Sequence, residues 1–241
     1  MDPTANETIR LTVDGLDIEA PSGQNLLQAC LDNGIYIPNL CHLDIRGLQN
    51  SGETSEVSET LETSEVSHRE PHASCRLCLV EVDGRPDPLP SCTLSAEAGM
   101  VVRTDTDRVR RLQRTALRLL LSTHRVECKT CPANRQCELQ KIAKYLKVGL
   151  KPKGLEARLK ETEVIDTHPV LRYYPNRCVL CGRCVHICRD RHHRSYLTFA
   201  RRGIDTEISF FGADEDIDLP AADCLACVSV CPVSAIGVKT V

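Results

Sequence analysis

Tryptophan is missing from this 241-residue sequence, and the other large aromatics are scarce, with three Phe and five Tyr. A core with so few large side chains needs help from something other than aromatic burial. No run comes near the ~18 apolar residues of a membrane-spanning helix, which excludes that class. The opening MDPTANETIRLTVDG has neither the basic segment nor the apolar segment of a secretory leader. Glycine-rich dinucleotide fingerprints, a P-loop and a nucleophile elbow are all lacking, so nothing recognisable here performs hydride or acyl chemistry. A net charge of -3 gives no global signal for nucleic acid or a membrane surface.

Cysteine is what the sequence has, with 15 residues in clusters. With no leader, the expected location is cytoplasmic, where thiols stay reduced, and clustered reduced thiols point to metal. Charge is uneven. Residues 51–67 carry five Glu and no base, whereas DRVRRLQRTALR and CRDRHHRSYLTFARR are strongly basic.

The alternation in TIRLTVDGLDIEA around Asp14-Gly15 predicts a tight hairpin, and NLLQACLDNG predicts a short helix closed by Gly34. Together with strands at 78–84 and 100–105 this reads as a β-grasp module. From Asp107 to about His124 the apolar positions Val109, Leu112, Ala116, Leu119 and Leu120 recur at helical spacing, an amphipathic helix packed on a neighbour. Residues 137–148 read as helical, 151–169 as a polar connector, and FARRGIDTEISFFG as a hairpin. The expected class is α+β in three units. These are a β-grasp domain at 1–106 with an acidic insertion at 46–70, a helical domain with one His and three Cys at 107–160, and a Cys-rich ferredoxin-like domain at 161–241.

In RCVLCGRCVHIC, Cys178, Cys181, Cys184 and Cys188 follow C-x2-C-x2-C-x3-C. Three thiolates at this interval wrap one cubane, and the fourth usually ligates a second cluster. A zinc site needs four ligands in two pairs and has no use for a third closely spaced Cys. The partner segment DCLACVSVCPVSAI supplies Cys224, Cys227 and Cys231, with Ala221 where the two-cluster pattern has a further Cys. One cubane therefore has Cys178, Cys181, Cys184 and Cys231. The other has only Cys188, Cys224 and Cys227, enough for a 3Fe-4S cluster or for a 4Fe-4S cluster with a non-Cys ligand such as Asp218 or Asp223. The alternative is that these three Cys pack as small apolar residues.

His124, Cys128, Cys131 and Cys137 form H-x3-C-x2-C-x5-C, which suits zinc as well as iron on spacing alone. Cys41, Cys75, Cys78 and Cys92 fit a plant-type 2Fe-2S site, although 33 residues separate the first two. Cys30 lies in an apolar helix and reads as a packing residue, while His192 and His193 stand in a basic surface run. Within the long interval, ETSEVS occurs twice with Glu at every third position, a period matching no buried face. It reads as a solvated excursion that loop-closure entropy tolerates.

The order of these motifs resembles the N-terminal region of the large iron-sulfur subunit of respiratory complex I. It is more similar still to the diaphorase iron-sulfur subunits of NAD-linked hydrogenase and formate dehydrogenase complexes. GIYIPNLCHL, CRLCLVEVDG, NRQCELQKIA and NRCVLCGRCV carry the likeness, which covers about residues 8–241. It implies 2Fe-2S at Cys41, Cys75, Cys78 and Cys92, and 4Fe-4S clusters at His124, Cys128, Cys131, Cys137 and at Cys178, Cys181, Cys184, Cys231. The chain departs from the family in its long interval before Cys75 and in Ala221. Up to four clusters, with about 13 to 14 iron atoms, are expected. The implied role is an electron-transfer subunit without a substrate-converting site, flavin or NAD of its own. It passes single electrons between an NAD(H)-handling flavoprotein and a second redox subunit such as a hydrogenase or formate dehydrogenase, in a hetero-oligomer with no nucleic acid. The rival readings are a freely diffusing ferredoxin-like carrier and a zinc or iron-sulfur accessory of a nucleic-acid enzyme, whose Arg-rich helix touches phosphates.

Overall fold

Asp14 and Gly15 turn the chain tightly enough for Val13 to face Leu16, so that β1 (Thr8–Val13) and β2 (Leu16–Pro21) pair antiparallel over six residues each. Both turn residues lie in the left-handed region, at φ 50° and 82°, as a two-residue hairpin of this hand requires. The Asp14 carboxylate accepts a hydrogen bond from the Thr104 amide at 2.7 Å, which ties the turn to the far side of the sheet. The computed structural model describes residues 7–44, 73–151, 153–192, 196–211 and 221–239. The acidic repeat, Asp218 and His193, and the side chains of His192, Ala221, Asp223 and Cys224, lie outside the described residues.

Alternation in β1 buries Ile9, Leu11 and Val13 on one face. They meet α1 (Leu26–Asp32), whose first turn is capped by Asn25 accepting from the Gln28 amide at 3.2 Å. Three short strands complete a mixed sheet, β3 (Leu79–Val82), β4 (Leu89–Pro90) and β5 (Val101–Arg103), in the order β2-β1-β5-β3-β4. β5 runs parallel to β1 and antiparallel to β3, so it joins the N-terminal hairpin to the strand that follows Cys75 and Cys78. Cys30 is fully buried under the sheet, where burial and then the Asp14 charge push its thiol up to about 12, and it packs as a neutral residue.

Thr106 caps α2 (Asp107–Ser122), its hydroxyl accepting from the Val109 amide at 3.2 Å. The inward stripe of α2 is Val109, Gln113, Leu117 and Leu121, while Leu112 and Leu119 are exposed. The apolar pattern placed this face about one residue away because a polar residue occupies its centre. Gln113 is buried by donating its amide to the Leu79 carbonyl at 3.2 Å, so an interior position carries no apolar signature. Against α2 lies α3 (Glu138–Leu146), which buries Leu139, Ile142, Ala143 and Leu146. Tyr145 of α3 sits under the Arg110 guanidinium at 4.3 Å and edge-on to Tyr36 at 4.8 Å, joining the helices to the N-terminal unit.

The remaining chain forms two small antiparallel ladders and two helices. β6 (Leu171–Tyr173) pairs with the late strand β9 (Ile236–Val238), so the segments flanking the last Cys runs are held together. Between them come α4 (Arg183–His192), the hairpin of β7 (Leu197–Ala200) and β8 (Glu207–Phe210), and α5 (Ala221–Ser229) packed on α4. Two buried apolar clusters result among the described residues. One lies between the five-stranded sheet and α1, and the other runs from Leu40 and Cys75 through α2, α3 and α4 to Ile236. Among the described residues no helix is long and apolar enough to cross a membrane.

Candidate metal centres

Cys41 follows the turn after α1, Cys75 and Cys78 lie in the loop entering β3, and Cys92 sits in a single helical turn after β4. All four are buried. Cys41 Sγ lies 3.5 Å from Cys75 Sγ, and the Cys92 thiol is within hydrogen-bond reach of both Cys41 and Cys78. Two thiolates on one tetrahedral metal, with bonds of about 2.3 Å, stand roughly 3.8 Å apart, so this spacing suits shared metal ligation. The hydrogen bond from Cys75, and next that from Cys92, hold Cys41 far below the usual thiol range, while Cys75 and Cys92 are pushed up by the same contacts. Bound iron would take the place of these shared protons. Ser91 fixes the geometry by donating both its amide and its hydroxyl to the Cys78 carbonyl, each at 2.9 Å. His42, next to Cys41, is turned to Gln28, with Nε2 2.8 Å from its amide oxygen.

A second cleft is lined by His124, Cys128, Cys131 and Cys137, together with Arg177 and Val233. His124 emerges from the end of α2, Cys128 and Cys131 bracket one short helical turn, and Cys137 caps α3. Nδ1 of His124 lies 2.8 Å from the Arg177 carbonyl, which can only accept, so Nδ1 carries the proton and Nε2 keeps its lone pair. Burial lowers the His124 pKa and keeps the ring neutral, the form a metal requires.

The third cavity is lined by Cys178, Cys181, Cys184 and Cys231, walled by Val179, Ile208, Val233, Ala235 and Ile236. Leu180 and Gly182 adopt left-handed φ values of 51° and 79°, which bend this loop around its sulfurs. The Leu180 amide donates to Cys178 Sγ at 3.3 Å and the Ala235 amide to Cys231 Sγ at 3.1 Å. Burial pushes the Cys178, Cys181 and Cys184 thiols up, Cys181 to about 12. A polycationic iron body is the partner such an apolar ring of thiols with amide donors fits. Val233 borders both this cavity and the His124 cleft, and the Arg177 carbonyl that orients His124 belongs to the residue before Cys178.

From the expected incomplete set, Cys188 and Cys227 meet thiol to thiol, both buried, between α4 and α5. The Cys227 thiol donates to the Cys184 carbonyl at 3.7 Å, and the contact with Cys227 lowers the Cys188 pKa to about 7. Among the described residues no three His, Cys, Asp or Glu side chains converge on the volume of a single metal ion.

Residues 6–107 match the family described as a 2Fe-2S iron-sulfur cluster binding domain, and residues 113–150 match the NADH-ubiquinone oxidoreductase-G iron-sulfur binding region. The chain thus carries 2Fe-2S and 4Fe-4S binding domains. It is similar over 95% of its length to NADP-reducing hydrogenase subunit HndD of Solidesulfovibrio fructosivorans, at 29% identity, and over 95% to a G-type NADH-quinone oxidoreductase subunit of Rhizobium meliloti (strain 1021), at 31%. The chain spans only 36% and 24% of those two relatives. Among solved structures, NAD+-reducing NiFe-hydrogenase in the H2-reduced state matches with a TM-score of 0.76 at 28% identity, covering 96% of this chain and 88% of that one. Sequence spacing missed Gln113 and Val233. No spacing rule flags them, because each acts by its place in the folded wall.

Proposed function

We propose that this chain is a multi-cluster electron-transfer subunit that relays single electrons between an NAD(H)-handling flavoprotein subunit and a second redox catalytic subunit, of hydrogenase or formate dehydrogenase type. The carrying observation is the pair of abutting clefts that share Val233, one walled by His124 and three Cys, the other by four Cys. When bound, iron-sulfur clusters supply one-electron redox centres. The chain's own residues hold the thiolates, aim amide donors at them and exclude water. The proposed ligands are Cys41, Cys75, Cys78 and Cys92 for 2Fe-2S, His124, Cys128, Cys131 and Cys137 for one 4Fe-4S, and Cys178, Cys181, Cys184 and Cys231 for another. The proposed units are 1–106, a β-grasp domain, 107–160 and 161–241, the last two sharing one core, and the proposed location is cytoplasmic. The relatives are named as subunits of larger enzymes, which supports a hetero-oligomer over a free carrier.

Ala221, which lacks a thiol, leaves the set at Cys188, Cys224 and Cys227 one ligand short of four, and this favours three clusters over four. Anaerobically purified protein is expected to carry about 10 iron atoms, with EPR signals of one 2Fe-2S and two 4Fe-4S clusters. About 13 to 14 irons would restore a cluster at Cys188, Cys224 and Cys227. A colourless protein with stoichiometric zinc would overturn the assignment altogether. Affinity purification from the native host, without oxygen, is expected to bring down a flavoprotein that oxidises or reduces NAD(H). Recovery of the chain alone defeats the subunit reading.

A further inference from the structure

Asn176 is a buried polar residue two positions before Cys178, and both ends of its side-chain amide are spent on one neighbour. Its Oδ1 accepts from the Lys160 amide at 2.7 Å, and its Nδ2 donates to the Lys160 carbonyl at 3.0 Å. Because the Lys160 N–H can only donate and its carbonyl can only accept, this pair fixes which way the Asn176 amide faces. Lys160 is anchored in turn, its Nζ donating to the Thr206 carbonyl at 2.5 Å. The same connector is strapped to the end of α2, where the Arg158 amide donates to the Ser122 carbonyl at 2.7 Å and Arg125 pairs with Glu163 at 2.7 Å. On the backbone side, the Asn176 carbonyl accepts from the Arg125 amide at 2.6 Å, and the next carbonyl, that of Arg177, meets His124 Nδ1. A loop that leads into one set of cysteines thus orients the imidazole of the neighbouring set.

We propose that Asn176 is a positioning residue for the centre at His124, Cys128, Cys131 and Cys137: by clamping the connector at Lys160 it holds the Arg177 carbonyl against His124. The proposal rests on His124 being a ligand, as given above. A carbonyl that accepts from Nδ1–H shifts electron density toward Nε2 and makes the ring a stronger donor to a metal. A stronger donor favours the oxidised state, so the clamp lowers the potential of a cluster bound there. Position along the chain makes the opposite forecast. Asn176 is close in sequence to Cys178 and far from His124, so simple loosening of its loop disturbs the all-Cys site first.

The test is an EPR-monitored redox titration of the full chain with Asn176→Leu, run beside pulsed EPR of protein labelled with 15N-histidine. The midpoint of the cluster that carries the histidine-nitrogen coupling is expected to rise, so that at fixed potential its reduced-to-oxidised ratio grows about tenfold, about 59 mV for one electron. The nitrogen coupling weakens with it, while iron content and the midpoint of the all-Cys 4Fe-4S cluster hold. An unmoved or lowered midpoint, an unchanged coupling, or an equal shift in the all-Cys cluster overturns the proposal. If the leucine chain fails to take up iron, Asn176→Ala, which loses the same two hydrogen bonds and adds no bulk, decides by the same readings. A wild-type chain with no histidine-nitrogen coupling on any cluster overturns the ligand assignment instead, a failure seen before any variant is made.

Discussion

Replacing Cys184 with alanine is expected to remove about four iron atoms per chain and to leave the 2Fe-2S absorption in place. Cys184 stands in the first turn of α4 and faces the same cavity as Cys178, Cys181 and Cys231. Its thiol is buried among apolar walls, so no solvent or distant side chain can take over as ligand. The Cys41, Cys75, Cys78 and Cys92 set draws on elements packed in part against a different core, which is why its spectrum survives. Because cluster binding is also folding energy, the variant should lose on the order of 10 kcal/mol of apparent stability along with the iron. The matched control is Cys188→Ala, which should keep all the iron and cost only about 1 kcal/mol. Iron analysis and thermal melting check both, and a Cys184→Ala chain with full iron content would sink the ligand set.

Stripping all iron with an anaerobic chelator is expected to melt the C-terminal part of the protein while the β1–β2 ladder keeps its hydrogen-exchange protection. Of the 26 described buried residues in the larger core, five are proposed ligands, Cys41, Cys75, Cys137, Cys181 and Cys184, and Tyr173 is the one aromatic among them. Without iron those five thiols must take back protons inside apolar walls, and the clefts become voids that Val179, Ile208 and Val233 line without filling. The smaller core is built differently. Leu11, Val13, Leu26, Leu27, Val80 and Val102 close the sheet against α1 with aliphatic contacts, and of the proposed ligands only Cys78 and Cys92 lie in it among the described residues. Uniform loss of amide protection across both cores, or retention in both, would show that iron does not hold the second core.

Much of the local structure was legible in residue order because short-range chemistry decides it. Asp14-Gly15 supports positive φ, Thr106 supplies a side-chain cap, and TIRLTV alternates with the period of a half-buried strand. The thiol spacings likewise place ligands along a loop whose bends are set by a few residues. The buried face of α2 was not legible, since Gln113 is interior only through a carbonyl offered by Leu79, a residue 34 positions away. The parallel pairing of β1 with β5 was equally hidden, as it depends on what fills the chain between them.

Sequence alone determined how the thiols and the imidazole are spaced along the chain, and the proposed ligand sets rest on that spacing because ligand chemistry is carried by residue type over a few bonds. Tertiary structure decided how those sites stand to one another. It put the carbonyl of Arg177 on His124, the wall of Val233 between two clefts and the Ile208 amide on the phenol of Tyr173. It also brought Cys188 of α4 onto Cys227 of α5, residues that lie in separate Cys runs of the chain. Such contacts join segments far apart in the chain, and only the burial of a shared core fixes their distance.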